Sequence, residues 1–301
     1  MTGWKLTARA PRDAVEAALG AHSLMDGWDP AFVVGASEVP DRPEDWLLEG
    51  WLSRRPDHSD MERLLKLFAG ARPELHVEKL ADIDWVAASQ QRAEPVRAGP
   101  FRIRTPDFPP SPEPGVIEFE IPAAQAFGTG QHATTAGCLE MLAAMQARGL
   151  RFRSIADIGA GTGLLAFAAL KLWPQARATA TDSDPLCAPA IIDNAARNDI
   201  PLGDGRGELA FAIEAGTEGE LHAANVPYDL LIANILARPL IDLAPDFAKA
   251  AAPRGHLLLA GLLTSQEQIV RTAFLRVGFG LTARLVKGEW SILWLRRRFR
   301  A

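Results

Sequence analysis

Cysteine is nearly absent: Cys138 and Cys187 are the two in 301 residues. Both fall inside predicted helices and neither has a Cys-x-x-Cys or Cys/His spacing, which excludes a disulfide framework and a zinc site and fits a reducing cytoplasm. Long apolar runs are missing as well. Met1 to Asp13 mixes polar and charged side chains with no signal-like core, and nothing elsewhere nears the roughly 18 apolar residues of a membrane span. A soluble, unprocessed, cytoplasmic chain is expected. There are no internal repeats and no low-complexity tracts. Positive charge is not in excess: 32 Lys/Arg stand against 37 Asp/Glu, a formal net charge of -5. That balance argues against a nonspecific nucleic-acid footprint and favours a basic macromolecular partner. The run Arg296-Arg297-Arg298-Phe299-Arg300 is the local exception and reads as a solvated tail.

With 48% hydrophobic and 23% charged residues, the chain has the composition of an ordinary globular protein of one large or two smaller domains. Over residues 4 to 80 the elements read β-α-β-β-α-β. Trp4 to Ala10 is a strand, a helix opens at Pro11-Arg12-Asp13 and stops at Gly20, and Ala31 to Glu38 and Asp45 to Ser53 are strands. Ser59 and Glu62 form a capping box for a helix ending at Gly70, and Glu74 to Leu80 alternates like a strand. This order implies a ferredoxin-like α+β domain. Residues 1–80 hold ten Lys/Arg and fourteen Asp/Glu and no basic aromatic-rich strand, so the domain is expected to dock protein rather than RNA. A linker helix is expected over 81–94, and a second domain over 95–301.

The second domain begins with strands over Val96 to Arg104 and Gly115 to Ile121, separated by a proline-rich loop. Strand and helix then alternate from 132 to 261, the pattern of a doubly wound, Rossmann-like parallel sheet. A further helix is capped at Thr264-Ser265-Gln266-Glu267 and stops at Gly278. Residues 280–286 and 290–295 then close the chain as an antiparallel hairpin around Lys287-Gly288.

Three apolar runs end in chemically distinctive residues: Ser154-Ile155-Ala156-Asp157, Ala178-Thr179-Ala180-Thr181-Asp182 and Leu230-Leu231-Ile232-Ala233-Asn234. In an open α/β sheet such strand ends line the ligand crevice. Gly159, Gly161 and Gly163 follow the first, so backbone can pass close beneath a ligand at a helix N-terminus. The dinucleotide fingerprint needs its third glycine one position later, and that position is Leu164. The departure favours S-adenosyl-L-methionine, which carries no phosphate, over a nicotinamide dinucleotide. Asp182, placed to accept both ribose hydroxyls of an adenosine ligand, could instead cap a helix; Asp157 either contacts the ligand or orients the glycine turn. Upstream, Ala126-Phe127-Gly128-Thr129-Gly130-Gln131-His132-Ala133-Thr134-Thr135 is a second glycine turn with no Gly-Lys-Ser/Thr of a phosphate loop. Phe127 and Gly128 lie in it, and Thr134 and Thr135 present hydroxyls at a helix start, suited to a ligand carboxylate or to simple packing. Asn234 is a neutral amide that can accept hydrogen bonds from a substrate amine without stabilising its unreactive ammonium form. It is the expected catalytic residue, and no metal is expected.

Together these residues resemble the methyltransferases that modify ribosomal protein L-eleven of the large subunit. The specific marks are Ala126-Phe127-Gly128-Thr129-Gly130-x-His132-x-Thr134-Thr135 and Ala233-Asn234-Ile235-Leu236-Ala237. Weaker marks are Asp82-x-Asp84-Trp85, Gly261-Leu262-Leu263 with Gln266, and Gly288-Glu289-Trp290. The resemblance implies a class I methyltransferase domain, a protein-docking N-terminal domain, and cofactor contacts at Thr135, Gly159, Asp182 and Asn234. It implies an N-methyltransferase acting on lysine side chains, and on the N-terminal amine as a further target, of that ribosomal protein; no direct nucleic-acid contact and no membrane are expected, and the sequence leaves the oligomeric state open with a monomer favoured. Ala133 stands where the family usually has proline, and residues 214–227 make a longer loop, leaving the adenine wall unassigned. Competing readings are a methyltransferase for a different protein, a nicotinamide oxidoreductase, and a non-enzymatic binding module built on residues 1–80.

Overall fold

A computed structural model describes residues 3–23, 25, 27–29, 31–39, 42–70, 72–79, 94–122 and 133–298. The chain forms two compact units, Met1–Ala88 and Ser89–Ala301. The expected linker helix over 81–94, with Asp82, Asp84 and Trp85, lies outside the described residues but for Glu94.

In the first unit, β1 (Trp4–Pro11), α1 (Arg12–Ser23), β2 (Val33–Val39), β3 (Arg42–Leu52), α2 (His58–Leu65) and β4 (Leu75–Lys79) follow one another. The sheet order is β2-β3-β1-β4, every neighbouring pair antiparallel, so β3 is inserted between the parallel β1 and β2 in the ferredoxin-like manner. Alternate residues Leu6, Ala8 and Ala10 of β1 join Leu48 and Leu52 of β3 against Val15, Ala18 and Leu64 of the helices, the period-two pattern of a strand with one face on a core.

Two local expectations need correction here. Gly20 does not end α1, which runs on to Ser23; one glycine costs a helix only about 1 kcal/mol relative to alanine, less than the burial of its apolar face contributes. The capping box of α2 is Asp57 with Asp60, two residues before the expected Ser59 with Glu62. Each Asp takes the other's backbone N–H at 2.9 Å. Arg54 decides the choice, donating to both Asp60 carboxylate oxygens at 2.5 and 2.9 Å and holding that carboxyl below its ordinary range.

The second unit opens with β5 (Val96–Ala98) and β6 (Phe101–Arg104), a hairpin where one continuous strand was expected, because Gly99-Pro100 turns the chain; β7 (Ile117–Glu120) pairs parallel to β6. The following elements are α3 (Ala133–Ala147), β8 (Ser154–Ile158), α4 (Leu164–Leu172), β9 (Arg177–Asp182) and α5 (Cys187–Arg197). After these come β10 (Leu209–Ile213), α6 (Glu220–Asn225), β11 (Tyr228–Asn234) and α7 (Ala237–Ala250). The chain ends with β12 (Ala251–Leu263), α8 (Glu267–Arg276), β13 (Phe279–Lys287) and β14 (Trp290–Arg297). The 214–227 stretch, read as a loop, contains the short α6.

The seven strands lie in the order β10-β9-β8-β11-β12-β14-β13, parallel except for β14, which runs antiparallel to both its neighbours. The apolar runs are continuous because both faces are covered. Leu230 and Ile232 of β11 enter one core with α3, α4 and α5, while Leu231 and Ala233 enter the other with α7 and α8. The closing hairpin braces α3: Ile292 and Leu285 pack with Leu139 and Leu142, and Lys287 Nζ meets Glu140 at 2.6 Å. From β8 the chain steps outward to β9 and β10, then returns to β11 on the other side. The C-terminal ends of β8 and β11 therefore flank the switch point, where such sheets hold their ligands.

Candidate active site

Four of the expected residues are brought to these strand ends. The turn after β8 folds back onto β9: Gly159 and Ala160 both donate to the Thr181 carbonyl, at 2.8 and 3.0 Å, and Gly161 N–H donates to Asp182 Oδ2 at 2.8 Å. Gly163 N–H completes the turn on the Ala160 carbonyl at 2.8 Å. Gly159 has φ +73°, and a Cβ there would stand 2.4 Å from Ile235 Cγ2, so the turn needs glycine both for its backbone and for its neighbour. Gly261 of β12 approaches the same residue from the other side, where a Cβ would meet the Ile235 carbonyl oxygen at 2.3 Å. The chain just after Asn234 is thus held between the glycine turn and β12.

Asp182 takes Gly161 N–H on Oδ2 and Asp184 N–H on Oδ1, the latter at 3.0 Å. Two bonds leave about two further acceptor sites on a carboxylate, enough for a ribose diol. The helix-cap alternative does not describe this residue, since the second bond closes a local turn and the first reaches across to β8. Asp157 is different. It is 2% exposed, its Oδ2 accepts Ala166 N–H at 3.0 Å in the first turn of α4, and burial, reinforced by the Asp182 carboxylate, pushes its carboxyl up to about 7. Its contacts are those of a residue that orients the glycine turn on its helix.

Thr134 and Thr135 lie buried in the first turn of α3, at 3% and 2% exposure. Asn234, at the end of β11, donates from Nδ2 to Thr135 Oγ1 at 3.2 Å. That bond joins residues 99 positions apart and leaves the Asn234 Oδ1 to accept from elsewhere. Phe127, Gly128 and His132, with the rest of 123–132, lie outside the described residues. Sequence reasoning missed Asn194, whose Nδ2 donates to the Thr162 carbonyl of the glycine turn at 3.0 Å, and Ile235 as the wall of that turn. The signal for Asn194 was an amide one helical turn before Asn198 on the side of α5 that buries Ile191 and Ala195.

Both cysteines are buried, Cys187 pushed up to about 12 by burial and by Asp182, so neither supplies a thiolate nucleophile. Among the described residues no cluster of His, Cys, Asp and Glu could hold a metal ion, and no helix is long and apolar enough to cross a membrane.

The turn discriminates between the two cofactor classes. A pyrophosphate is bound by free backbone N–H groups at such a turn, yet those of Gly159, Ala160, Gly161 and Gly163 all have protein acceptors. Leu164, where the dinucleotide pattern wants glycine, is a buried core side chain. Engaged in this way, the N–H groups of Gly159, Ala160, Gly161 and Gly163 are not available to a phosphate.

A model of the family described as ribosomal protein L11 methyltransferase matches residues 44–298. The chain belongs to that family. It is 37% identical over 268 residues to the ribosomal protein L11 methyltransferase of Rhizobium meliloti, covering 88% of this chain and 90% of that one. It is 35% identical over 266 residues to the enzyme of the same name from Agrobacterium fabrum, with 88% and 89% covered. Among solved structures, a ribosomal protein L11 methylase from Lactobacillus delbrueckii subsp. bulgaricus superposes with a TM-score of 0.56 at 26% identity, over 69% of this chain and all of that one. As a member of the ribosomal protein L11 methyltransferase family, the chain is a methyltransferase, and its cofactor is S-adenosyl-L-methionine. The doubly wound sheet with its reversed hairpin is the class I methyltransferase fold, as the resemblance implied.

Proposed function

We propose that this enzyme methylates amine nitrogens of ribosomal protein L11, on lysine side chains and at the N-terminal amine, in the cytoplasm. The Asn234 to Thr135 hydrogen bond carries this reading: it holds a neutral amide at the open edge of the cofactor crevice with Oδ1 available to an N–H donor. Thr135, Gly159, Gly161, Asp182 and Asn234 are assigned to cofactor and substrate, Thr134 to the cofactor side of α3, and Asp157 to the turn. Phe127 and Gly128, in the glycine turn that precedes Thr134, are assigned to the cofactor as well.

S-adenosyl-L-methionine supplies a methyl group activated by its sulfonium. The accepting nitrogen must be neutral, and a free lysine of pKa near 10.4 is neutral in only about one molecule per thousand at pH 7.4. Asp157 does not discharge it, being buried behind the turn with its Oδ2 held by Ala166 N–H. The amine therefore gives its proton to water on entry, favoured by the nearby positive charge and by desolvation. What the chain contributes is alignment, worth roughly 7–11 kcal/mol when both partners are held in line. Asn234 Oδ1 accepts one amine N–H and so points the lone pair at the methyl carbon. The first unit, net acidic in sequence, docks the basic substrate protein.

Incubating the purified chain with methyl-labelled cofactor and either pure L11 or whole-cell extract tests the assignment. Label on L11 amines is expected. Label that appears only on some other protein in the extract would transfer the activity to that protein.

A further inference from the structure

The arginine run at the chain's end is not a free tail as far as Arg298. Arg296 and Arg297 end β14, and Arg296 pairs in register with His256 of β12, which brings Arg254 to the same place. Arg254, Arg296, Arg297 and Arg298, with Gly280, Leu281 and Thr282 of β13, line a cavity of about 500 Å3. Among the described residues no acidic and no aromatic side chain lines it. It opens at the N-terminal edge of the parallel strands. The catalytic edge, marked by the Asn234 and Ala260 pair, lies six positions along β12 from Arg254, about 20 Å at 3.3 Å per residue.

Several features keep these guanidinium groups together. Arg297 donates from Nη1 to the Ala251 carbonyl. Gly280 makes room for Arg298, whose Nε would lie 2.5 Å from a Cβ at that position. Arg254 sits at φ +64°, a left-handed conformation that costs a non-glycine residue energy and is retained where something else rewards it. Arg296 and Arg298 are exposed and form no ion pair among the described residues. In a chain of net charge -5, a concave surface with four like charges focuses a local field that calls for an anion.

We propose that this cavity binds the phosphate backbone of single-stranded RNA without reading its sequence. Guanidinium groups match phosphate geometry, and the described lining residues include no aromatic ring to stack a base and no side-chain amide to read its edge. The choice of RNA as the polyanion rests on the ribosomal-protein substrate proposed above; the anion site itself does not. It is a separate surface from the cofactor crevice, and the acidic balance of the whole chain had hidden it.

Fluorescence anisotropy with labelled 20-nucleotide RNAs of two unrelated sequences, using the full chain, tests this. Both should bind with similar affinity, and four phosphate contacts predict a slope of log K against log salt of about -3 between 50 and 200 mM KCl. Arg296→Glu with Arg298→Glu should weaken binding at least tenfold and halve the slope, while Arg296→Lys with Arg298→Lys retains binding within a few fold. Cofactor affinity and methyl transfer to free L11 should be unchanged in both variants. The idea is wrong if the RNAs do not bind at 50 mM KCl, if the charge-reversed variant binds as the wild type does, or if a mononucleotide binds as tightly as the 20-mer. Methyl transfer, measured on the same preparations, reports separately on the catalytic assignment: RNA binding without L11 labelling would sink only the latter.

Discussion

Replacing Asp182 probes the crevice most directly, because its carboxylate serves both the protein and the proposed ribose. Two of its bonds go to the backbone, to Gly161 N–H at 2.8 Å and Asp184 N–H at 3.0 Å. A hydrogen bond to a charged acceptor contributes about 1.5–3 kcal/mol. Loss of a single ribose hydroxyl contact in Asp182→Ala should therefore raise the Kd of S-adenosyl-L-methionine by about 10- to 150-fold, and loss of both by more. Asp182→Asn keeps the shape and one carbonyl acceptor but removes the charge, so its Kd should fall between wild type and Asp182→Ala. Isothermal titration calorimetry supplies both values, and thermal denaturation of the same samples reports the cost of the two lost backbone bonds. If Tm drops in both variants while Kd stays at the wild-type value, the carboxylate serves only the turn and the ribose assignment fails.

Asn234→Ala should lower kcat at least tenfold and leave cofactor Kd within about threefold, since alignment is spent in the transition state rather than in cofactor binding; normal turnover would show that the amide does not aim the amine. Asp157 is held up near 7 by burial, so its contribution to stability is present below its ordinary pKa and is lost as pH rises through about 7. Asp157→Asn, which keeps an acceptor for Ala166, should therefore be more stable than wild type at pH 8, by up to about 4 kcal/mol; denaturant unfolding at pH 5 and 8 with no difference between the pH values would contradict this. His222 and His256 are both buried and pushed down to about 4. Each contributes stability that is present above pH 6.5 and is lost as pH falls toward 4. His222, whose ring nitrogens have no partner, can be replaced by Phe; the variant should lose about half as much stability over that interval as wild type does. An unchanged pH profile would mean that His222 is not the buried base it appears in the fold.

Much of the architecture was legible because it rests on local chemistry. The period-two alternation of β1, the apolar runs of β8, β9 and β11, the glycine turn and the Lys287-Gly288 hairpin all declare themselves within a few residues. Errors arose where a distant residue intervened. Arg54 moved the capping box of α2 onto Asp60, and the packed face of α1 carried that helix past Gly20.

By itself the chain's order of residues determined which strands carry Asp157, Asp182 and Asn234 at or next to their last position, because hydrophobic period and strand length depend only on neighbours. It also determined that the turn lacked the third glycine a dinucleotide requires. Only the folded sheet decided that Asn234 reaches Thr135, that the N–H groups of Gly159, Ala160, Gly161 and Gly163 are already occupied, and that Arg254 joins the C-terminal arginines. Each of those is a meeting of side chains or backbone groups from far apart in the chain, set by strand order and register, which no local pattern encodes.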